Sequence, residues 1–180
     1  MRKIYIKKGI ELSKDEIEEI NRAKAREFKI PPMPEEQKIK TLFFLLKEKE
    51  RLLAMGELIP LEPIEFNRET FFILGIGGIV ANEKGKGYGR QIISAIRTYL
   101  REHDKTGVGS CGWHNQGFYE KCGLGVDLHS LKRFVFQDKG KKIINIADDC
   151  VIYQDGSDRF MEKVLSTPNK EVLLKRPFNW

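Results

Sequence analysis

The chain is 180 residues long, 41% hydrophobic and 32% charged, with a formal charge of +6. That is enough apolar material for a real core, and the length fits a single domain, residues 1–180. No window approaches the ~20 apolar residues that span a bilayer, and no apolar signal core opens the sequence, so a cytoplasmic protein is expected.

Cys111, Cys122 and Cys150 are odd in number and lack C-x-x-C spacing, so they read as reduced, buried core residues with no disulfide frame, and no metal site is expected. In chain order, Arg2–Lys8 alternates Ile4 and Ile6 with basic residues and Tyr5 and predicts a strand. Ser13 with Glu16 three residues on forms a capping box for a helix running to about Phe28, using Ile17, Ile20, Ala23, Lys24 and Glu27. Pro31-Pro32-Met33-Pro34 then breaks the chain, and residues 35–40 predict one more helical turn.

Residues 41–46 and 51–58 read as two apolar strands joined by the charged turn Lys47-Glu48-Lys49-Glu50. Pro60 and Pro63 demote residues 59–66 to an irregular or bulged strand. Asn67-Arg68-Glu69 turns into the central strand, residues 71–80, a nearly unbroken apolar run that should be buried on both faces. The second, third and central strands would then form an antiparallel meander.

Residues 82–89, Asn-Glu-Lys-Gly-Lys-Gly-Tyr-Gly, turn the chain into a helix in which Ile92, Ile93, Ile96 and Leu100 recur on one face. Gly107–Cys111 predicts a short buried strand, and residues 113–117 lead into a helix at Phe118. Residues 133–136 and 143–146 flank an Asp138-Lys139-Gly140 turn and predict a hairpin. Residues 150–153 and Val172–Leu174 add short strands around an amphipathic 157–165 segment. There is no repeat, linker or low-complexity region.

The order strand, basic glycine loop, helix has a chemical meaning. A helix start leaves about four N–H groups unpaired and carries roughly half a positive charge, so an anion fits there. Gly85, Gly87 and Gly89 remove the Cβ atoms that would hold a phosphate off the backbone, while Lys84, Lys86 and Arg90 add charge. A solvated turn with lysines for solubility is the plainer reading. The spacing is neither a P-loop, which needs Gly-Lys-Ser/Thr, nor the dinucleotide GxGxxG.

Residues 84–89 resemble the pyrophosphate loop of the GNAT superfamily of N-acetyltransferases, whose pattern is Arg or Gln, two residues, Gly, one residue, Gly or Ala; Lys84 stands where Arg or Gln is usual. Residues 118–124, Phe-Tyr-Glu-Lys-Cys-Gly-Leu, resemble the family's Phe-Tyr-Glu-Lys-x-Gly-Phe segment, with Leu124 in place of the aromatic. The resemblance runs from Thr70 to about Gly125. It implies an α+β GNAT fold with a mixed, mostly antiparallel central sheet of about six to seven strands, flanked by helices and splayed at its fourth and fifth strands. It also implies acetyl-CoA as cosubstrate, whose charge explains a basic loop without any nucleic acid.

By this resemblance, Gly77, Ile79 and Val80 would meet the pantetheine arm, with the Ile79 N–H facing the acetyl carbonyl. Lys84, Gly85, Lys86, Gly87, Tyr88, Gly89 and Arg90 would cradle the pyrophosphate, and Asn115 would also contact the coenzyme. Gly77-Gly78 fits a bulge and close backbone approach. Tyr119 would protonate the leaving thiolate, a task suited to a phenol with a pKa near 10; its plainer role is a packed helix tyrosine. Phe28 and Met33 would lie at the acceptor pocket or simply pack on the sheet.

Many relatives carry a glutamate on the fourth strand; here Ile76 stands in that neighbourhood. Glu57 is therefore the candidate base, with Glu65, Glu69, His114 or bulk water as alternatives. The tail is loosely similar to aminoglycoside 2'-N-acetyltransferases in residues 112–119 and 148–153 and in Trp180. A polycationic acceptor would require Asp148, Asp149, Asp155 and Asp158 to gather at the pocket, and a solvated loop is the plainer reading.

The expected function is transfer of an acetyl group to a primary amine, small molecule or peptide, by direct attack through a tetrahedral intermediate. The alternative is a non-catalytic coenzyme A-binding module acting as sensor or interaction domain. Neither nucleic acid nor membrane is an expected partner, and a homodimer is an admissible assembly.

Overall fold

The structure is a computed structural model that describes residues 1–28, 33–144 and 148–175. The first half runs β1 (Arg2–Lys8), α1 (Lys14–Phe28), α2 (Glu35–Lys40), β2 (Leu42–Glu48), β3 (Arg51–Pro60), β4 (Ile64–Phe66), β5 (Glu69–Phe71), β6 (Leu74–Ala81) and α3 (Tyr88–Glu102). The second half adds β7 (Gly107–Cys111), α4 (Gln116–Lys121), β8 (Gly125–Asp127), β9 (Phe134–Asp138), β10 (Lys141–Ile144), β11 (Cys150–Gln154), α5 (Phe160–Ser166) and β12 (Val172–Leu174). These elements form two compact units, Met1–Ile59 with Gly77–Thr98, and Pro60–Ile76 with Tyr99–Trp180. Strand β6 contributes to both, and the sheet that includes it has the order β1-β2-β3-β6-β7-β11-β8.

In the first unit β1, β2 and β3 pair antiparallel. Their alternation puts Phe43, Leu45 and Met55 on one face, where with Val80 they pack against Ile20 and Ala23 of α1. On the opposite face Gly56 lies under Ile79, Ile92 and Ile96, so close that a Cβ would sit within 3.0 Å of each. The isoleucine stripe of α3 is fully buried.

The capping box forms as the spacing predicts: Glu16 N–H donates to Ser13 Oγ at 3.2 Å and Ser13 N–H to Glu16 Oε2 at 2.9 Å. The buried Glu16 carboxylate also accepts from Lys7 Nζ at 2.8 Å and Lys47 Nζ at 3.0 Å, joining α1 to β1 and β2. Burial alone would raise its pKa. The hydrogen bonds from Lys7, Ser13 and Lys47, with the charge of Lys47, outweigh burial and bring it down to about 2.

In the second unit β7 pairs parallel with Leu74–Ile76 of β6 and antiparallel with β11, which pairs in turn with β8. A separate five-stranded sheet has the order β10-β9-β12-β4-β5. Phe66, Phe71 and Phe134 close around Phe160 of α5, with ring centroids 4.9 to 6.4 Å apart. Cys111 and Cys150 are register partners across β7 and β11, both buried and unoxidised, as is Cys122. Burial first, then the neighbouring thiol and Asp148 and Asp149, push Cys111 up to about 12.

The sequence expectations need correction at three places. Residues 59–66 are not one bulged strand: β3 runs on to Pro60, and Ile64–Phe66 leaves for the second sheet. There it pairs with β5 across a turn in which Asn67 and Arg68 take positive φ. The central strand therefore begins at Leu74 instead of Phe71, and the expected meander is interrupted by a hairpin. The second sheet as a body and strand β8 were not expected. The proline break falls largely outside the described residues, as do residues 145 and 146 of the expected tail hairpin and Trp180.

The Glu16 pKa sets a pH dependence. A carboxylate lowered in the fold stabilises above its unfolded pKa, near 4.5, and that stability fades as pH falls towards about 2. Glu16→Gln keeps the cap geometry and removes the charge. It should cost about 2 to 3 kcal/mol at pH 7, with the difference shrinking steadily below about pH 5, measured by urea unfolding of both proteins.

Candidate functional site

Within the first unit, β6 delivers the chain to the glycine loop. Gly78 has φ +58, and a Cβ there would stand 2.7 Å from Cδ and Oε2 of Glu57, so no side chain fits. Gly85 and Gly87 also have positive φ, +74 and +73, but a Cβ on either would meet nothing within 4 Å. The glycine in the strand is required by the protein's own packing. The two in the loop stand before open space, where a ligand can approach the backbone.

The loop is held at both ends. Asn82 N–H donates to Leu53 O at 2.9 Å and its side-chain amide to Leu52 O at 2.7 Å, while Arg26 of α1 donates to its Oδ1. Arg51 pairs with Glu83 at 2.8 Å, and Lys84 with Glu27 of α1 at 2.7 Å. Lys86 and Arg90 are exposed, and Gly89 is half-buried. The Tyr88 ring is buried with the Arg2 guanidinium 5.1 Å from its centre, so it packs as core at the first position of α3. Gly77 and Val80 are buried, and Ile79 is half-buried, with its side chain turned to α3.

Glu57 lies on the other face of β3. It is 1% exposed, and Lys24 Nζ of α1 donates to both its oxygens at 2.9 Å. Burial raises its pKa, and the charge and hydrogen bonds of Lys24 pull it back only in part. The pair borders a small pocket whose walls include Ile20, Asn21, Met33 and Phe43. Phe28 is exposed and does not line it. The other acids considered for the base are engaged elsewhere: Glu65 accepts from Thr70 Oγ1 at 2.8 Å, and Glu69 pairs with Lys163 at 2.5 Å.

In the second unit, Tyr119 is buried on α4, its ring 5.2 Å from Phe118, and its carbonyl accepts from Leu124 N–H after a turn in which Gly123 has φ +82. Asn115 and His114 are exposed; the Asn115 N–H closes a turn onto Gly112 O at 2.9 Å, and its amide lies 3.2 Å from His114 Nε2. The tail aspartates have local duties. Asp148 accepts from Ser110 Oγ at 2.7 Å and Asp149 from Trp113 N–H at 2.9 Å. Asp155 and Asp158 accept from N–H groups at the start of α5. Among the described residues, no group of three or more His, Cys, Asp or Glu is placed to hold a metal.

Sequence reasoning took Lys24 only as a residue of the inner helix face. The signal was there: a lysine one turn after Ile20, on the stripe that must be buried, needs an acid opposite it.

No protein-family model matches the sequence, and no curated protein matches it. Solved structures do. ElaA of Escherichia coli superposes with a TM-score of 0.61 at 15% identity, over 86% of this chain and 100% of that one. An acyl-CoA N-acyltransferase from Pseudomonas aeruginosa gives 0.58 at 15% identity, over 86% and 99%. A GNAT family acetyltransferase from Elizabethkingia anophelis, solved with acetyl-CoA bound, gives 0.53 at 11% identity, over 86% and 97%. The protein has the α+β fold of the GNAT acetyltransferases.

Gly78 supplies a test of the strand geometry. Gly78→Ala places a Cβ against the Glu57 carboxyl in a conformation that L-residues avoid, and should lower stability by about 1 to 3 kcal/mol. Chemical denaturation should show the loss, and Gly85→Ala, strained but unobstructed, should lose less.

Proposed function

We propose that this protein is a cytoplasmic N-acetyltransferase that moves an acetyl group from acetyl-CoA to a primary amine. The observation that carries the reading is the open backbone at Gly85 and Gly87, before a helix of 15 residues and after a strand of the GNAT fold. Backbone amides and a helix start, with Lys86 and Arg90 exposed nearby, suit a pyrophosphate. Asn115 and the backbone of Gly77, Ile79 and Val80 keep their coenzyme-binding roles by resemblance.

The chemistry follows from the residue types. The amine lone pair forms the C–N bond at the acetyl carbon. As the tetrahedral intermediate collapses, the C–S bond breaks and its electron pair leaves on sulfur, which takes the Tyr119 phenolic proton; water restores that proton. The surplus amine proton passes to Glu57, whose burial lifts its basicity above that of an ordinary carboxylate, and from there to water, which balances the proton that water returns to Tyr119. The acceptor is a small-molecule or peptide amine, and neither nucleic acid nor membrane takes part.

Acetyl-CoA should raise the melting temperature, by linkage worth about 2.7 kcal/mol at a hundred times its dissociation constant. Gly87→Val should abolish the shift through the blocked backbone, and charge reversal at Lys84, already paired with Glu27, should weaken it less. An unchanged melting temperature at millimolar acetyl-CoA would refute the reading. Tyr119→Phe should lower turnover about 100- to 10,000-fold with unaltered acetyl-CoA affinity. Equal turnover of the two proteins would remove the phenol from the mechanism, and binding without turnover towards a broad amine panel would make the protein a coenzyme A-binding module.

A further inference from the structure

Glu57 and Lys24 are 33 residues apart in sequence and meet on the α1 face of the first unit. The ammonium spans both carboxylate oxygens at 2.9 Å, with side-chain exposures of 11% for Lys24 and 1% for Glu57. The carboxyl lies 2.7 Å from the point where any residue other than glycine at position 78 would carry its Cβ. Buried ion pairs are often no more stable than apolar residues of equal volume. Here a glycine with φ +58 leaves room for a carboxyl group beside the strand proposed to present the acetyl group.

The surroundings leave Lys24 as the charge that governs this carboxyl. Asn21 is its uncharged neighbour on α1, Phe43 of β2 is its register partner, and Gly78 of β6 brings no charge. Lys38 of α2 lines the same pocket, with its ammonium paired to Glu35.

We propose that Lys24 is a positioning residue for the transfer: its ammonium holds the Glu57 carboxylate against Gly78 and keeps it ionised to accept the proton of the incoming amine. This rests on the acetyltransferase reading, with Glu57 as base. Without Lys24 the same carboxyl, still buried, holds its proton to higher pH, in keeping with the opposed effects of burial and Lys24 on it. Lysine to neutral substitution should therefore impair the reaction most at low pH and least at high pH, which a purely structural pair would not do.

The test follows Glu57 directly. Carbon-13 NMR of glutamate-labelled protein, with Glu57→Gln to assign the resonance, gives its titration in the wild type, in Lys24→Met and in Lys24→Arg. The pH profile of kcat/KM is recorded alongside. In Lys24→Met the titration midpoint and the acidic limb should move up together by about one to three pH units, and Lys24→Arg should bring both back towards the wild type. Lys24→Gln, which retains a donor, replaces Lys24→Met if the latter does not fold, with the same expectation. A folded neutral variant whose titration and acidic limb stay at the wild-type positions would overturn the proposal. A wild type that transfers no acetyl group would instead overturn the acetyltransferase reading, while the NMR titration still shows whether Lys24 governs the Glu57 charge.

Discussion

A carboxylate removed from water must be met by a cation or by several N–H donors, and the first unit meets this constraint twice on one helix. Glu16 near the start of α1 takes Lys7 and Lys47 from the neighbouring strands, and Lys24 two turns later takes Glu57 from β3. The two pairs run in opposite senses, acid on the helix in one and base on the helix in the other. Together they fix rotation and translation of α1 on the sheet, which apolar contacts such as Ile20 on Phe43 and Met55 would define less sharply. The position of the Glu57 carboxyl and the need for Gly78 follow from that registration.

The parts legible in the sequence were those set by neighbours along the chain. The Ser13 and Glu16 cap works over three residues, the α3 stripe over a few turns, and the glycine turn before it over less than ten residues, so local physics wrote them plainly. The short strands β7 and β12 were equally visible as apolar runs between turns. The tail aspartates show the opposite case. Their composition suggested a solvated loop, but Asp155 and Asp158 close the turn into α5, a role that depends on where Phe160 must be buried.

What remained hidden was pairing across distance. Ile64–Phe66 looks like a failed continuation of the central sheet because the strand that ties its hairpin into the second sheet, Val172–Leu174, lies about a hundred residues away. The two prolines explained why the strand broke without saying where it went. The Lys24 contact was hidden for the same reason, since a lysine on an amphipathic helix usually lets its charge reach water and the acid that captures it lies three elements later. For the candidate site, the glycine loop was readable and its freedom from obstruction was not, because Gly78, Gly85 and Gly87 look alike in sequence and differ only in what surrounds them.

The cysteines bear on how this protein can be handled. Cys111, Cys122 and Cys150 are all buried, and the first is held up to about 12, so thiolate is scarce at neutral pH and the sulfur is shielded from solvent. Reagents that colour or fluoresce on meeting a free thiol should leave the native chain unlabelled. Coenzyme A liberated in solution would then be the sulfur such a reagent sees, and a native protein sample supplies its own low background.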